Sequence, residues 1–151
     1  MKFSTRTFYG LKAVLVLTSR FGEGSLSVSQ IAGLQSISVA YLEQILNALK
    51  KKGLVKSVRG PQGGYILAKK PSEISLKNLF EALEGPHRWA AETPSSKPDW
   101  DEVKIANFIF WKKLQSSLEE GWSEMTLKDL MDEARRAKKG KPSLAHYSFN
   151  I

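Results

Sequence analysis

VRGPQGGY, residues 58–65, is a basic, glycine-rich stretch flanked by the apolar runs LVKSV and YILA. The runs favour β structure and the residues between them are turn formers, so the spacing predicts a β-hairpin. Gly63 and Gly64 permit positive φ, Pro61 presets a turn, and Arg59 sits at the shoulder. A cation on a thin projecting ribbon adds little to a core but suits a narrow, negative groove. The competing reading is an ordinary surface hairpin with an incidental arginine, and the sequence around it decides between the two.

Working back from the hairpin, residues 38–52 form the most legible helix in the chain. Leu42, Ile45, Leu46 and Leu49 mark one apolar face, and Val39, Tyr41, Glu43, Gln44 and Asn47 lie largely elsewhere on the circumference. Ser38 is its expected N-cap and Gly53 its stop, with Lys50, Lys51 and Lys52 at the negative end of the helix. Residues 27–34 make a two-turn helix through Val28, Ile31, Ala32 and Leu34, and residues 35–37 are a tight connection. A first helix begins at Ser4 or Thr5 and runs to Arg20, with Phe8, Leu11, Leu15 and Thr18 as its apolar stripe and Val14, Val16 and Leu17 widening it. Gly22 and Gly24 end it.

Three helices, the last two joined by a short turn, followed by a glycine-tipped ribbon, describe a winged helix-turn-helix domain. The fold class is therefore mostly α, and the second helix of the motif is the one that meets a major groove. Its candidate contacts are Ser38, Val39, Ala40, Tyr41, Glu43 and Gln44, with Lys50 and Lys51 at its far end. Gln44 has the amide to pair with an adenine edge and Glu43 the carboxylate to accept from a cytosine amino group. Glu43 is either a selector against wrong bases or an outward residue touching nothing, and Tyr41 is either a phosphate contact or a partly buried ring. The sequence leaves both pairs of readings open. Arg59 would enter the adjacent minor groove and read its width, with Gln62 and the amides of Gly63 and Gly64 at the sugar-phosphate rail.

Charge agrees with this assignment. Residues 1–70 hold eleven Lys and Arg against two acids, Glu23 and Glu43, a balance of +9, whereas the rest of the chain is close to neutral within a total of +8. Such confinement is expected if one domain meets a polyanion and the other does not, the alternative being a soluble, nonspecifically basic domain. The 151 residues fit one ordinary domain or a small one with an assembly element. No apolar run is long enough to cross a bilayer, and MKFSTRTFYG lacks the features of a secretory signal, so a cytoplasmic protein without membrane contact is expected. The chain contains no cysteine, which removes disulfides, thiolate nucleophiles and cysteine-ligated metal sites.

The stretch ISVAYLEQILNALKKKGLVKSVRGPQGGYILAKKPSEISLKNLFEALEG, in which SVAYLEQIL is followed by LKKKGLVKSVRGPQGGY, resembles the Rrf-two family of bacterial transcription regulators. That family includes the iron-sulfur cluster regulator and the nitric-oxide and cysteine-metabolism regulators. The resemblance runs from Met1 to about Gly85 and more loosely through FWKKLQSSLEEGWSEMTLKDLM. It implies a homodimer with a winged DNA-binding domain and a long dimerisation helix. Many members hold a cluster through three cysteines in the region matching PHRWAAETPSSKPDW, residues 86–100, and an assisting histidine would fall near Phe108. This chain has no cysteine there, so no cofactor and no metal are expected.

Residues 75–84 should form a fourth helix, capped by Ser75, with Leu76, Leu79, Phe80 and Leu83 packing inward, and Gly85 and Pro86 end it. The expected organisation is a DNA-binding domain over residues 1–85, a connector over 86–99, dimerisation helices over 100–139 and a tail over 140–151. Asp99 should cap a helix whose Ile105, Phe108, Ile109, Phe110, Trp111 and Leu114 cover much of its circumference. A helix apolar on several sides needs two surfaces, its own domain and a symmetry mate. Ile105, Phe108, Ile109, Trp111 and Leu114 are the candidate dimer contacts, against the rival of a purely intramolecular core helix. Gly121 should end that region, and Thr126 with Asp129 should box the start of a last helix carrying Leu127, Leu130 and Met131 inward.

Catalysis finds no support: His87 and His146 are far apart, Glu119 and Glu120 read as solvated, and GPQGG is not a phosphate-binding loop of the nucleotide-hydrolase type. No catalytic residue is assigned. Two readings remain, a dimeric sequence-specific regulator of double-stranded DNA, usually a repressor, and a winged-helix module whose same surface meets an acidic protein. A small-molecule or protein effector near the connector is compatible with either. Trp89, Trp100 and Trp111 would line an aromatic pocket or fill a dimer core.

Overall fold

The computed structural model describes residues 4–85 and 102–140. In chain order these form α1 (Thr5–Ser19), α2 (Val28–Gln35), α3 (Val39–Lys51), β1 (Val55–Val58), β2 (Gly64–Leu67), a 3-10 turn (Pro71–Glu73), α4 (Leu76–Glu84), α5 (Glu102–Glu124) and α6 (Leu127–Gly140). The architecture is a mostly helical winged helix. The expected Asp99 cap, His87, Trp89, Trp100 and His146 lie outside the described residues, as do the connector and the tail beyond Gly140.

Short polar side chains set the helix starts. Ser4, Ser27, Ser38 and Ser75 each accept from the backbone N–H three residues on, and Gln30 returns the bond to Ser27 to complete a capping box. Each satisfies a donor that the first turn would otherwise leave without a partner. Between α2 and α3, Ser36 adopts the left-handed conformation at φ 53°, which folds the two helices sharply against each other. Such a turn lets Ile31 and Ala32 of α2 share one core with Leu42, Ile45, Leu46 and Leu49 of α3.

That core also takes Val14 and Leu17 from α1, Val55 and Leu67 from the hairpin, and Leu79 and Leu83 from α4. In α1 the buried face is Thr7, Gly10, Ala13, Val14, Val16, Leu17 and Thr18. The expected stripe was turned partly the wrong way: Phe8 is 51% exposed, and Leu11 and Leu15 are only half-buried. Small residues win the inner face because α4 lies so close. A Cβ on Gly10 would stand 2.5 Å from a Leu83 methyl. Where the helices meet at their ends, Glu84 of α4 accepts from the hydroxyls of Ser4 and Thr7 and from the Ser4 N–H at 2.9 Å. This places a carboxylate at the positive end of α1.

The hairpin pairs Val55 with Leu67 through Val58 with Gly64 in antiparallel register. Leu26 adds one more rung by exchanging two backbone bonds with Tyr65, at 3.1 and 2.8 Å. Gly63 and Gly64 are glycine for a different reason from the one expected. Neither has positive φ; the left-handed residue of the tip is Gly60, at φ 118°. A Cβ on Gly64 would stand 2.1 Å from the Leu26 carbonyl oxygen, and one on Gly63 would stand 2.7 Å from that of Val58. Close backbone approach, and not turn conformation, excludes a side chain there.

α5 does not stop at Gly121 but continues to Glu124. The next residue, Trp122, stacks on Phe80 of α4 with ring centroids 4.5 Å apart, and that packing outweighs the modest cost of a glycine inside a helix. α6 is then tied to the winged part of the chain. Leu76 N–H bonds the Met125 carbonyl and Leu127 N–H bonds that of Ile74, while Leu127 is fully buried in the common core. The Thr126–Asp129 cap forms as expected, with Thr126 N–H and Oγ1 both donating to Asp129 Oδ2.

Candidate nucleic-acid interface

The first turn of α3 is the outermost part of that helix. Ser38, Val39, Ala40, Glu43 and Gln44 are exposed, and the Ser38 hydroxyl is engaged in capping by accepting from the Tyr41 N–H at 3.3 Å. Glu43 and Gln44 lie on the face opposite Leu42, Ile45 and Leu46 and present a carboxylate and an amide to solvent. Tyr41 is half-buried: its ring stands edge-on to Tyr9 of α1, centroids 5.9 Å apart. The same Tyr9 ring has the ammonium of Lys12 at 5.9 Å. Tyr9 and Lys12 escaped sequence reading, although their three-residue spacing on an acid-free helix was a visible signal.

At its other end α3 is linked to the ribbon. Lys50 Nζ donates to Ser57 Oγ of β1 at 2.8 Å, and the Tyr65 hydroxyl of β2 reaches Asn47 Oδ1 at 3.4 Å. Lys50 therefore has a structural partner, whereas Lys51 is exposed. Beyond these contacts the tip carries Arg59, Gly60, Pro61 and Gln62 into solvent. The Ser25 hydroxyl donates to the Gln62 carbonyl at 2.5 Å, bracing the tip against the segment before α2. Gly63 and Gly64 lie deeper, with Gly64 against Leu26.

Electrostatics on this side are mainly positive, with Glu43 as the acid on the exposed face of α3. The ion pairs among the described residues include Arg20–Glu23, Lys77–Glu81, Lys128–Asp132 and Arg135–Asp132, and none of these involves Arg59, Lys12, Lys50, Lys51 or Lys56. An exposed group of cations without protein counterions attracts a polyanion and releases that polyanion's own counterions on contact. The structure thus presents two exposed elements on one basic body, a helix start with polar side chains and a ribbon with an arginine.

Far from the ribbon, the first half of α5 leaves Val103, Ile105, Ile109, Phe110 and Trp111 exposed, and Phe108 and Leu114 half-buried. Phe110 and Trp111 touch edge to face at 5.3 Å, and Trp111 Nε1 donates to Asn107 Oδ1 at 3.1 Å. Large apolar side chains exposed together on one helix are a feature of interaction surfaces. Among the described residues no helix is long and apolar enough to cross a membrane, and no group of three or more His, Asp or Glu is placed to hold a metal ion.

Comparison with known proteins agrees with this geometry. Residues 3–133 match the model of the Rrf2 family, described as iron-dependent transcriptional regulator. The chain is 35% identical over 130 residues to the HTH-type transcriptional regulator CymR of Bacillus subtilis, covering 86% of this chain and 89% of that relative. It is 40% identical over 84 residues to IscR of Aliivibrio salmonicida, covering 56% of this chain and 50% of that one. Solved structures of B. subtilis CymR and T. potens IscR superpose with TM-scores of 0.74 each, at 33% and 39% identity, covering 88% and 91% of this chain and 98% and 90% of theirs. The chain belongs to the Rrf2 family of DNA-binding, winged-helix transcription regulators. Both of these relatives are named as HTH-type transcriptional regulators.

The family description speaks of iron, and the donor set of this chain decides how far that extends to it. With no cysteine anywhere in the chain, a thiolate-bound cluster does not fit. No step of the proposed mechanism runs through one.

Proposed function

We propose that the protein is a homodimeric, sequence-specific DNA-binding regulator, acting as a repressor on a pseudo-palindromic operator in the cytoplasm and without an iron-sulfur cluster. The observation that carries this reading is the exposure of both candidate DNA-reading elements, the first turn of α3 and Arg59 on the ribbon, beside Lys12, Lys51 and Lys56, which form no ion pair among the described residues. Ser38, Val39, Ala40 and Tyr41 bring the start of α3 to the major groove, where Gln44 pairs with an adenine edge and Glu43 accepts from a cytosine amino group. Desolvating Glu43 beside phosphates without such a donor is costly, so it rejects other bases. Val39 and Ala40 offer apolar contact to thymine methyls. Arg59 enters the neighbouring minor groove where A·T pairs narrow it, with Gln62 along the rail; Gly63, whose N–H is given to the Gly60 carbonyl at 2.8 Å, and Gly64, packed on Leu26, shape the ribbon instead of supplying the amides expected there.

Lys51 supplies a phosphate contact, and Lys50, bound to Ser57, holds the ribbon at a fixed angle to α3. The exposed side of α5, through Ile105, Phe108, Ile109, Trp111 and Leu114, meets its twofold mate and sets the half-site spacing at about one helical turn or a multiple of it. Occupancy of such a site excludes other proteins from it, which is how a compact dimer represses.

Titration of duplex DNA at low salt tests the reading. Binding that weakens steeply as salt rises is expected. Arg59→Ala should lose most on duplexes with a narrow A·T minor groove, and an equal loss on every duplex contradicts shape reading. Absence of binding at low salt overturns DNA recognition altogether and leaves the acidic-protein partner.

A further inference from the structure

Lys12 forms no ion pair among the described residues. It projects from α1, is exposed, and holds its ammonium 5.9 Å from the centre of the Tyr9 ring. That ring in turn meets the edge of Tyr41, the third residue of α3. Two aromatic side chains therefore connect Lys12 to the turn of α3 that leads into the major groove. Only two acids occur in residues 1–70: Glu23 is paired with Arg20 at 3.0 Å, and Glu43 lies on α3 without an ion pair to Lys12. α1 has no acid in its own first turn.

We infer that Lys12 is a further phosphate-binding residue, gripping the backbone strand that flanks the groove entered by α3, with Tyr9 as its positioning residue. This inference rests on the DNA-binding reading above. Physically, an aromatic face steadies an ammonium without neutralising its charge. A lysine side chain otherwise spreads over many rotamers, and the ring narrows that spread before the phosphate arrives. The contact is with backbone and not with a base edge, so it adds affinity and register without adding sequence preference. Tyr41 then serves as the hinge between the two, and its half-burial follows from packing on Tyr9.

The test uses the full-length chain and fluorescence anisotropy with two probes, a duplex selected from a random library by the wild-type protein and an unselected duplex of equal length. Affinity is measured across a salt series for the wild type, Lys12→Gln, Lys12→Arg and Tyr9→Phe. One phosphate contact contributes about 0.9 to the slope of log affinity against log salt. Lys12→Gln should lower the slope by about that amount and weaken both probes by a similar factor. Lys12→Arg and Tyr9→Phe, which keep a cation and a ring, should retain the wild-type slope.

An unchanged slope in Lys12→Gln overturns the phosphate contact, as does a loss confined to the selected duplex. A lowered slope in Tyr9→Phe would make the Tyr9 hydroxyl itself a contact and overturn its positioning role. If the wild type binds neither probe at low salt, the DNA-binding reading fails, and with it this one; wild-type binding with an unaltered Lys12→Gln slope sinks the inference alone.

Discussion

At Gly64 a single hydrogen is all the space allows. The Leu26 carbonyl would lie 2.1 Å from a Cβ there, and it is fixed by the two bonds that Leu26 exchanges with Tyr65. Gly64→Ala must therefore push apart the rung that braces the ribbon against the segment before α2. We expect a loss of about 1–3 kcal/mol, the usual range for an overpacked site, read as a lower urea midpoint. An unchanged midpoint would show that the rung is easily moved. That a glycine belonged near the tip was legible in GPQGG, but its reason was not, because the carbonyl it avoids comes from a distant part of the chain. Arg59, Gln62, Glu43 and Gln44 were legible as outward residues because the turn chemistry and the helical period are local.

Among the elements, the helix starts were the clearest part of the sequence. A short polar residue before a periodic apolar run is a self-contained signal, and Ser4, Ser38, Ser75 and Thr126 all act as expected. The inner face of α1 and the end of α5 were less legible because they depend on neighbours: Leu83 of α4 leaves no room for a side chain at Gly10, and Phe80 holds Trp122 past Gly121.

The start of α6 makes a pH prediction. The Thr126 hydroxyl and then its N–H hold the Asp129 carboxyl below its ordinary value of 3.8, and a hydrogen bond from Lys128 does the same for Asp132. A carboxyl lowered by folding stabilises the protein above its unfolded value and loses that contribution as pH falls through the folded one. Asp129→Asn should therefore flatten the decline in unfolding midpoint as pH drops below about 3.8, with Asp132 still titrating in the same window. Identical pH profiles for variant and wild type would mean that the cap contributes nothing to folding.

For the whole molecule, one core unites the winged domain with α6 through Leu127, while Val103, Ile105, Ile109, Phe110 and Trp111 of α5 are exposed. On the proposed reading the two roles are separate, with the basic winged part for DNA and α5 for assembly. Ile109→Glu places a charge in the proposed twofold contact at a site 45% exposed in the single chain. It should give a folded monomer by light scattering, with thermal unfolding still cooperative and operator affinity lost. A wild-type monomer, or an unaffected dimer in the variant, would contradict assembly through α5.

Selection of binding sites from a random duplex library by the wild-type protein tests the central claim most directly. Two grips joined by a twofold axis should enrich a pseudo-palindrome with half-sites about one helical turn, or a multiple, apart and an A·T-rich minor groove beside each half. Enrichment of a single unrepeated site, or of no sequence at all, would contradict it.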